Sequence, residues 1–339
     1  MLTLILRDLQ YRKWRILVVA VLMAVILTLL FIMSGLVGQF RYEPVSATAS
    51  AGGEHSWVVS ESSTGPLTSP TALPVDAFAA VDGDAILIGM GSVDGIRAAI
   101  IGRSFAAEPP LIEGRHPEAA DEVAIDVSSD HTIGQSLNIG GQTATVVGLT
   151  EDSTILAGVP ITFTTLPYAQ EILASGREVI TGKLVDGAPA SLPDGLPDGL
   201  KVMTAEEVAD DALVPLERPI GSVSLVRVLL WLITLIVIAA VIYITALERT
   251  RDMAVLKAVG ANNRSLGLSL IAQGVIMAVS ATLLAGVLQR FIAPLFPMAV
   301  RVTGGIFWQI LIGSVLVALV AGIAGASRVS NTAPAEAFG

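Results

Sequence analysis

Residues 16–38 read ILVVAVLMAVILTLLFIMSGLVG and contain no Asp, Glu, Lys or Arg. A membrane-spanning helix needs roughly 20 consecutive, mostly apolar residues, and this run is long enough. Residues 228–247, 266–288 and 306–326 form three further runs that are equally free of charged side chains. The sequence therefore predicts a membrane protein with four transmembrane helices.

Composition agrees with that prediction. The 339 residues are 53% hydrophobic and only 15% charged, and their mean hydropathy is +0.72. In soluble domains about 25% of the residues are charged, so the excess apolar content has to lie in the four runs. The first two runs are separated by about 180 residues of ordinary, turn-rich sequence, which is enough to form a folded core of its own.

Charge divides the chain into two parts of opposite sign. Residues 41–222 hold 26 acidic and 8 basic side chains, a net of −18, whereas the remainder carries a net of +8. Lys and Arg are enriched beside the cytoplasmic ends of spans, and here they occur in 7–15, in 249–264 and at 328. We therefore predict that both termini are cytoplasmic and that 41–222 is extracytoplasmic. Arg290 and Arg301 oppose this orientation and are outnumbered.

The predicted organisation has nine segments. They are a cytoplasmic amphipathic helix (1–15), the first span (16–40), an extracytoplasmic domain (41–222), the second span (223–247), a cytoplasmic helix (248–264), the third span (265–290), an external loop (291–305), the fourth span (306–326) and a cytoplasmic tail (327–339). Residues 1–15 place apolar side chains on one helical face. This segment either lies on the inner leaflet or forms the hydrated start of the first span.

The extracytoplasmic domain is predicted to be mixed α+β. Residues 41–73 are expected to be partly loop, and 110–117 are expected to form a turn. Gly140-Gly141 indicates a hairpin within 135–148, and Thr204 with Glu207 fits a capping box at the start of a helix. The other predicted elements are strands at 84–89, 96–101, 122–127 and 178–184 and a helix at 166–174. The chain has no Cys, so disulfides and thiolate zinc sites are excluded.

No residue set in the sequence predicts an enzyme. Residues 176–184 do not fit a phosphate-binding loop, because one residue too many separates the glycines and Leu184 stands where Ser or Thr should bind Mg²⁺. The three histidines, His55, His116 and His131, are expected to be surface side chains. Ionisable groups inside a membrane mark transport pathways, and the four runs have none. We therefore expect no metal site, no proton relay and no path for a hydrophilic solute between the spans.

Residues 248–261 read ERTRDMAVLKAVGA and are too polar to span a membrane. Met253, Leu256 and Gly260 fall on one face of a helix, and Gly260 followed by Asn262-Asn263 predicts the end of that helix. The segment is therefore predicted to be a short amphipathic helix. It is either a solvated connector or a surface that a cytoplasmic partner binds.

The same segment resembles the signature of the FtsX/MacB permease superfamily at almost every position. The C-terminal PAEAF of residues 334–338 resembles the closing motif of that family, with Phe338 in place of the usual Leu. Four motifs of the extracytoplasmic domain resemble the MacB-type periplasmic core: EGRHP at 113–117, DEVAI at 121–125, IGQSL at 133–137 and ATVVGL at 144–149. The resemblance covers essentially the whole chain.

The resemblance implies a permease subunit of a MacB-like, type VII ABC transporter in a bacterial inner membrane. Two copies of the chain would pair with two cytoplasmic ATPase subunits, expected on separate polypeptides, which bind the ATP and Mg²⁺. This chain would then hold no cofactor, would bind membrane lipid and would bind no nucleic acid. Residues 248–264 would be the coupling helix, with ATPase-docking residues Glu248, Arg249, Arg251, Met253, Leu256, Lys257 and Gly260.

Three functions remain open from the sequence. The first is export or extraction of a peptide, lipid or drug by mechanotransmission, with or without an extracytoplasmic adaptor. The second is FtsX-like signalling to an extracytoplasmic cell-wall hydrolase. The third, a membrane-anchored enzyme, is the weakest because no site is visible. The size of the extracytoplasmic domain favours the first function.

Overall fold

A computed structural model describes residues 13–103, 111–187, 196–248, 263–296 and 298–331. Within these ranges, four helices are long and apolar enough to cross a membrane, which confirms the predicted fold class. The α-helices are α1 (Lys13–Gly52), α2 (Leu166–Ala174), α3 (Ala205–Leu213), α4 (Glu217–Glu248), α5 (Asn263–Ile292) and α6 (Gly304–Asn331). Short 3-10 helices cover Val75–Phe78, Val127–Ser129, Val214–Leu216 and Ala293–Leu295.

Each long helix runs past its predicted span. The largest difference is at α1, which continues through Gly52 although residues 41–52 were expected to be partly loop. The helix contains Pro44, so the carbonyl of Phe40 loses the amide of residue 44 as a donor. The helix persists because its last three turns are buried in the second folded unit of the chain, described below.

The chain divides into two compact units. The helical unit comprises residues 1–39 and 221–339, and the sheet unit comprises residues 40–220. Helix α1 contributes to both units. The sheet unit begins at Phe40, whose carbonyl lacks a helical donor because residue 44 is Pro.

In the helical unit, α6 is the helix that the other three contact. Phe31 of α1 stacks on Phe307 of α6 with ring centroids 5.9 Å apart. The indole of Trp231 on α4 packs directly over Gly313, where a side chain would overlap the ring. Helix α5 places the hydroxyl of Thr282 2.9 Å from that of Ser314, and both residues are buried.

Small residues, among them Gly274 and Ala278, allow α5 to pack closely. Both are buried, and the same helix also buries Ala281 and Ala285. Without a strong hydrophobic force between helices in lipid, small residues let backbones approach and gain van der Waals contact.

The described residues of the sheet unit form thirteen short strands. They are β1 (Ser56–Ser60), β2 (Leu73–Pro74), β3 (Asp84–Val93), β4 (Ile96–Arg103), β5 (Leu111–Gly114), β6 (Glu122–Asp126), β7 (Ser136–Ile139), β8 (Gln142–Thr150), β9 (Thr154–Ile155), β10 (Val159–Thr165), β11 (Val179–Ile180), β12 (Gly182–Val185) and β13 (Leu200–Met203). With α2 and α3, they confirm the predicted α+β domain. The predicted hairpin is β7–β8, and both Gly140 and Gly141 have positive φ as its turn requires.

One mixed sheet contains most of these strands, in the order β13-β1-β12-β3-β4-β10-β6-β8-β5. Strand β10 lies at its centre, parallel to β4 and antiparallel to β6. The expected turn at 110–117 is wrong for residues 111–114, which form β5 and pair with β8 across a register irregularity. Because β5 lies at the edge, only one of its sides needs a partner, and its turn-like sequence is tolerated there.

The two faces of the sheet bury alternate residues, as the strand period of two requires. Ile86, Ala99 and Phe163 face one core, which also contains Ala47 and Ala51 of α1 together with Val208 of α3. Leu87, Ile100 and Val123 face the opposite core with Tyr168 and Ala169 of α2. The end of α1 is therefore a component of the sheet unit's hydrophobic core.

The packing of Trp231 over Gly313 predicts that Gly313→Leu destabilises the helical unit. Filling an already packed position costs about 1–3 kcal/mol, and we expect a correspondingly lower unfolding temperature for the detergent-solubilised chain, measured by tryptophan fluorescence. The matched control is Gly304→Leu, because a side chain there meets nothing within 4 Å. Equal unfolding temperatures for the two variants would contradict the packing described.

Candidate functional site

The predicted ATPase-docking segment lies between two described helices. Glu248 is the last residue of α4, and α5 begins at Asn263. Residues 248, 263 and 264, at the two ends of the predicted coupling segment, are therefore parts of the long helices. Arg249, Arg251, Met253, Leu256, Lys257 and Gly260 lie outside the described residues, and their docking role stays a prediction.

Several hydroxyl side chains in the described parts of the spans bond to carbonyls of their own helices. Thr28 donates to the carbonyl of Ala24 at 2.7 Å, and Thr234 donates to that of Leu230 at 2.8 Å. The hydroxyl of Thr282 donates to the carbonyl of Ala278 and also meets Ser314. Hydroxyls satisfied in this way contribute to helix contacts and leave little capacity to coordinate a passing solute.

The structure places two of the three histidines beside single carboxylates. His55 contacts the carbonyl of Gly52 through Nδ1 and Asp186 through Nε2, at 2.7 and 2.9 Å. His131 Nε2 lies 3.3 Å from Asp94. No group of three or more metal-ligating side chains occurs in the part of the chain that the structure describes. These contacts tie a helix end and a strand hairpin to neighbouring segments.

One ion pair joins two of the motifs on which the family resemblance rests. The guanidinium of Arg115, in EGRHP, donates to both carboxylate oxygens of Glu122, in DEVAI. The distance from Nη1 to Oε2 is 2.7 Å. The amides of Glu118 and Ala119 donate to the same carboxylate at 2.9 and 3.1 Å. Glu122 thereby closes the loop that leads from β5 to β6.

These donors stabilise the charged form of Glu122. The Arg115 guanidinium, followed by the two backbone amides, lowers the pKa of Glu122 from 4.5 to about 2. The same ion pair raises the pKa of Arg115. Asp94 also has a lowered pKa, because it accepts a hydrogen bond from the Asn138 amide and another from His131.

The last three turns of α1 present polar side chains to a single segment of the sheet unit. Ser46 Oγ donates to the carbonyl of Asp152 at 2.7 Å, and Ser50 Oγ lies 3.1 Å from Ser153 Oγ. The carboxylate of Glu43 accepts hydrogen bonds from the amides of Ala157 and Gly158 at 2.8 and 2.6 Å. Glu43 is only 1% exposed, so these amides replace water around its charge.

The turn that binds Glu43 has an unusual backbone. Leu156, Ala157 and Gly158 have φ of 53°, 70° and 96°. A left-handed conformation costs a non-glycine residue roughly 1–2 kcal/mol, so Leu156 and Ala157 are held there by their surroundings. Successive amides in such a turn converge on one point and form a site for an anion, which the Glu43 carboxylate occupies.

A second contact holds the end of α1. Arg103 of β4 is 1% exposed and donates through Nη1 to the carbonyls of Ala51 and Ser50, at 2.6 and 3.4 Å. The last carbonyls of a helix lack helical donors and carry partial negative charge. The guanidinium therefore caps the helix and attaches it to a central strand.

The roles of Glu43, Arg103 and the 156–158 turn were not predicted from the sequence. Glu43 precedes Pro44, and the composition around it indicated loop, so no burial was expected for its charge. The spacing of residues 43, 46 and 50 along one helical face was the available signal, and it becomes visible only if the helix is extended past the apolar run. Arg103 looked like an ordinary charged residue after a strand.

The features that define the class of protein are four candidate spans, each with a long run free of Asp, Glu, Lys and Arg, and a separate α+β unit. Residues 224–334 match the family described as FtsX-like permease C-terminal. The whole chain is similar to an ABC transporter permease of Mycobacterium bovis, with 31% identity over 100% of this chain and 99% of the relative. An ABC transporter permease of Mycobacterium tuberculosis has 33% identity over the same shares.

This chain therefore belongs to the FtsX-like ABC transporter permeases, as its motifs predicted. Two solved structures are similar at a lower level. The periplasmic region of MacB from Actinobacillus actinomycetemcomitans has 13% identity and a TM-score of 0.34, over 48% of this chain and 93% of that one. The extracellular domain of the ABC-type transporter YknZ from Gram-positive bacteria has 11% identity and a TM-score of 0.32, over 44% and 99%.

The lowered pKa of Glu122 predicts how a Glu122→Gln variant depends on pH. A carboxylate with a lowered pKa stabilises the fold above its unfolded value of 4.5 and loses that contribution as pH falls towards about 2. Because the pair is partly exposed, we expect the variant to lose about 1 kcal/mol at neutral pH. That loss should shrink steadily below the unfolded pKa.

Thermal unfolding of the full chain in detergent, at neutral pH and at a pH of about 3, measures this difference. The control is Glu118→Gln, which removes a neighbouring carboxylate whose side chain does not bond to Arg115. A loss that is equal at both pH values, or equal in the two variants, would show that the ion pair does not stabilise this loop.

Proposed function

We propose that this chain is the non-catalytic membrane subunit of an ABC transporter and couples ATP hydrolysis by a separate cytoplasmic ATPase to movement of the sheet unit. The observation that carries the proposal is the similarity, over the whole chain, to relatives named ABC transporter permeases. Two copies of the chain and two ATPase subunits would form the complex. The docking surface would be the segment 248–264, including Glu248, Arg249, Arg251, Met253, Leu256, Lys257 and Gly260.

The proposed work on the substrate is mechanical. The four apolar runs carry no Asp, Glu, Lys or Arg, and several of their hydroxyls bond to helix carbonyls, so a path for a hydrophilic solute between them is unfavourable. Export or extraction of a peptide, lipid or drug that the sheet unit meets outside the membrane fits this constraint. Signalling to a cell-wall hydrolase fits it too, and it is the alternative function.

We propose an orientation with both termini and the 248–264 segment in the cytoplasm. An even number of spans places both termini on one side, and the basic residues near the span ends select the cytoplasmic side. The sheet unit, with its strongly acidic composition, then lies outside the membrane.

Cysteine labelling tests this orientation cleanly, because the chain has no native Cys. Ser128→Cys lies on the exposed surface of the sheet unit and should react with a membrane-impermeant maleimide in intact spheroplasts. Ala333→Cys, in the predicted tail, should react only after the membrane is opened. The reverse pattern would overturn the orientation.

Co-purification with the candidate ATPase tests the function itself. We expect a two-plus-two complex in detergent and an ATP turnover that changes when the permease is present. Substituting Met253→Asp and Leu256→Asp should abolish both, because two charges would be forced into an apolar contact. Ile96→Asp is the matched control, since it adds a charge at a side chain that is 62% exposed on the sheet unit.

Wild-type binding and turnover in the Met253→Asp, Leu256→Asp variant would remove the docking assignment. No complex of the wild-type chain with any candidate ATPase would remove the proposed function. If the complex forms, a substrate-transport assay tests for export and a cell-wall hydrolysis assay tests for signalling.

A further inference from the structure

The polar face of α1 meets one segment of the sheet unit at four successive points. Tyr42, Glu43, Ser46 and Ser50 recur at the spacing of one helical face. Their partners all lie between Asp152 and Gly158. The Tyr42 hydroxyl donates to the Asp152 carboxylate at 3.2 Å, and the Ser46 hydroxyl donates to the Asp152 carbonyl. The Glu43 carboxylate accepts from the amides of Ala157 and Gly158, and the Ser50 hydroxyl meets that of Ser153. We call residues 152–158 the joint segment.

The joint segment leads directly into the middle of the sheet. It contains β9 and ends one residue before β10. Strand β10 pairs with both β4 and β6, and Arg103 on β4 holds the end of the same helix. The Arg103 contact therefore attaches α1 directly to β4, and the Glu43 contact attaches it to the turn that leads into the neighbouring strand β10.

Glu43 makes the contact that is best suited to carry force. Its two hydrogen bonds involve a charged acceptor, which makes them stronger than neutral ones. Their donors are backbone amides, so the backbone of Ala157 and Gly158 has to move together with the Glu43 carboxylate unless these hydrogen bonds break. A side-chain partner could instead have rotated away.

We propose that Glu43 and the joint segment form a rigid joint that passes movement of α1 to β10, with Glu43 as its positioning residue. This inference rests on the proposed function, because the movement would come from the ATPase. The joint stays closed during the cycle, and the helix and the central strands move together. Its partner is internal, so no ligand is required.

Glu43→Gln tests the contact without changing the volume of the side chain. One carboxylate oxygen is replaced by the NH2 group of the side-chain amide, which is a donor and cannot accept from a backbone amide, so one hydrogen bond is lost. In the full chain in detergent, we expect the amides of Ala157 and Gly158 to exchange hydrogen about tenfold faster. The control is Glu54→Gln, which removes an exposed carboxylate just beyond the same helix and should leave that exchange unchanged.

Transmission is measured on the complex with the ATPase. In the wild type, binding of a non-hydrolysable ATP analogue should change hydrogen exchange in peptides that cover β10. In Glu43→Gln, the complex should assemble and hydrolyse ATP, but the change at β10 should be lost. If Glu43 served folding alone, the variant would keep or lose ATP hydrolysis and the exchange response at β10 together.

A disulfide provides the decisive rescue. Ser50 and Ser153 have hydroxyl oxygens 3.1 Å apart, so the sulfurs of a Ser50→Cys, Ser153→Cys pair can reach the bonding distance of about 2.05 Å. The chain has no other Cys. Added to Glu43→Gln and oxidised with oxidised glutathione, this pair should restore the nucleotide response at β10, and dithiothreitol should abolish it again.

The outcomes separate the joint from the proposed function. A wild-type response in Glu43→Gln, or a lost response that the oxidised disulfide does not restore, would overturn the joint and leave the permease assignment standing. A wild-type complex with no nucleotide response at β10 would overturn the proposed function and the joint with it. The exchange of Ala157 and Gly158 in the permease alone would still report the contact.

Discussion

A buried carboxylate held by two backbone amides fixes the last turns of α1 to the sheet unit. Without that contact, the charge of Glu43 would face an apolar interior, where an unpaired ion is strongly unfavourable. The helix could then not bring Ala47 and Ala51 into the core beside the central strands. The core, the left-handed turn and the capping of the helix end by Arg103 therefore form one cooperative arrangement around α1.

The parts of the fold that follow from local chemistry could be predicted from the sequence. The spans follow from apolar length, the β7–β8 hairpin from Gly140-Gly141, and α3 from the capping box, whose reciprocal Thr204–Glu207 hydrogen bonds are formed. The missed elements depend on tertiary context. Strand β10 begins Val-Pro, and Pro within an apolar run argues against a central strand. Here Pro160 falls at the second residue, where β10 still faces the short strand β9.

Some functional residues could likewise be recognised from a continuous motif, whereas others depend on contacts between distant parts of the chain. The predicted docking segment could be singled out because ERTRDMAVLKAVGA at 248–261 resembles a family signature along a continuous stretch of sequence. Glu43 and Arg103 could not be recognised, because their roles come from partners 114 and 52 positions away in the chain. Arg115 and Glu122 each belong to a motif that was recognised in the sequence, but only the structure shows that they contact each other.

The separation between Glu43 and its partners has a consequence for synthesis. The first span is made early, whereas Gly158 follows Glu43 by 115 residues. During that interval the sheet lacks its central strand β10 and the turn that binds Glu43. The contacts between Glu43 and this turn can therefore form only after residue 158 has been synthesised.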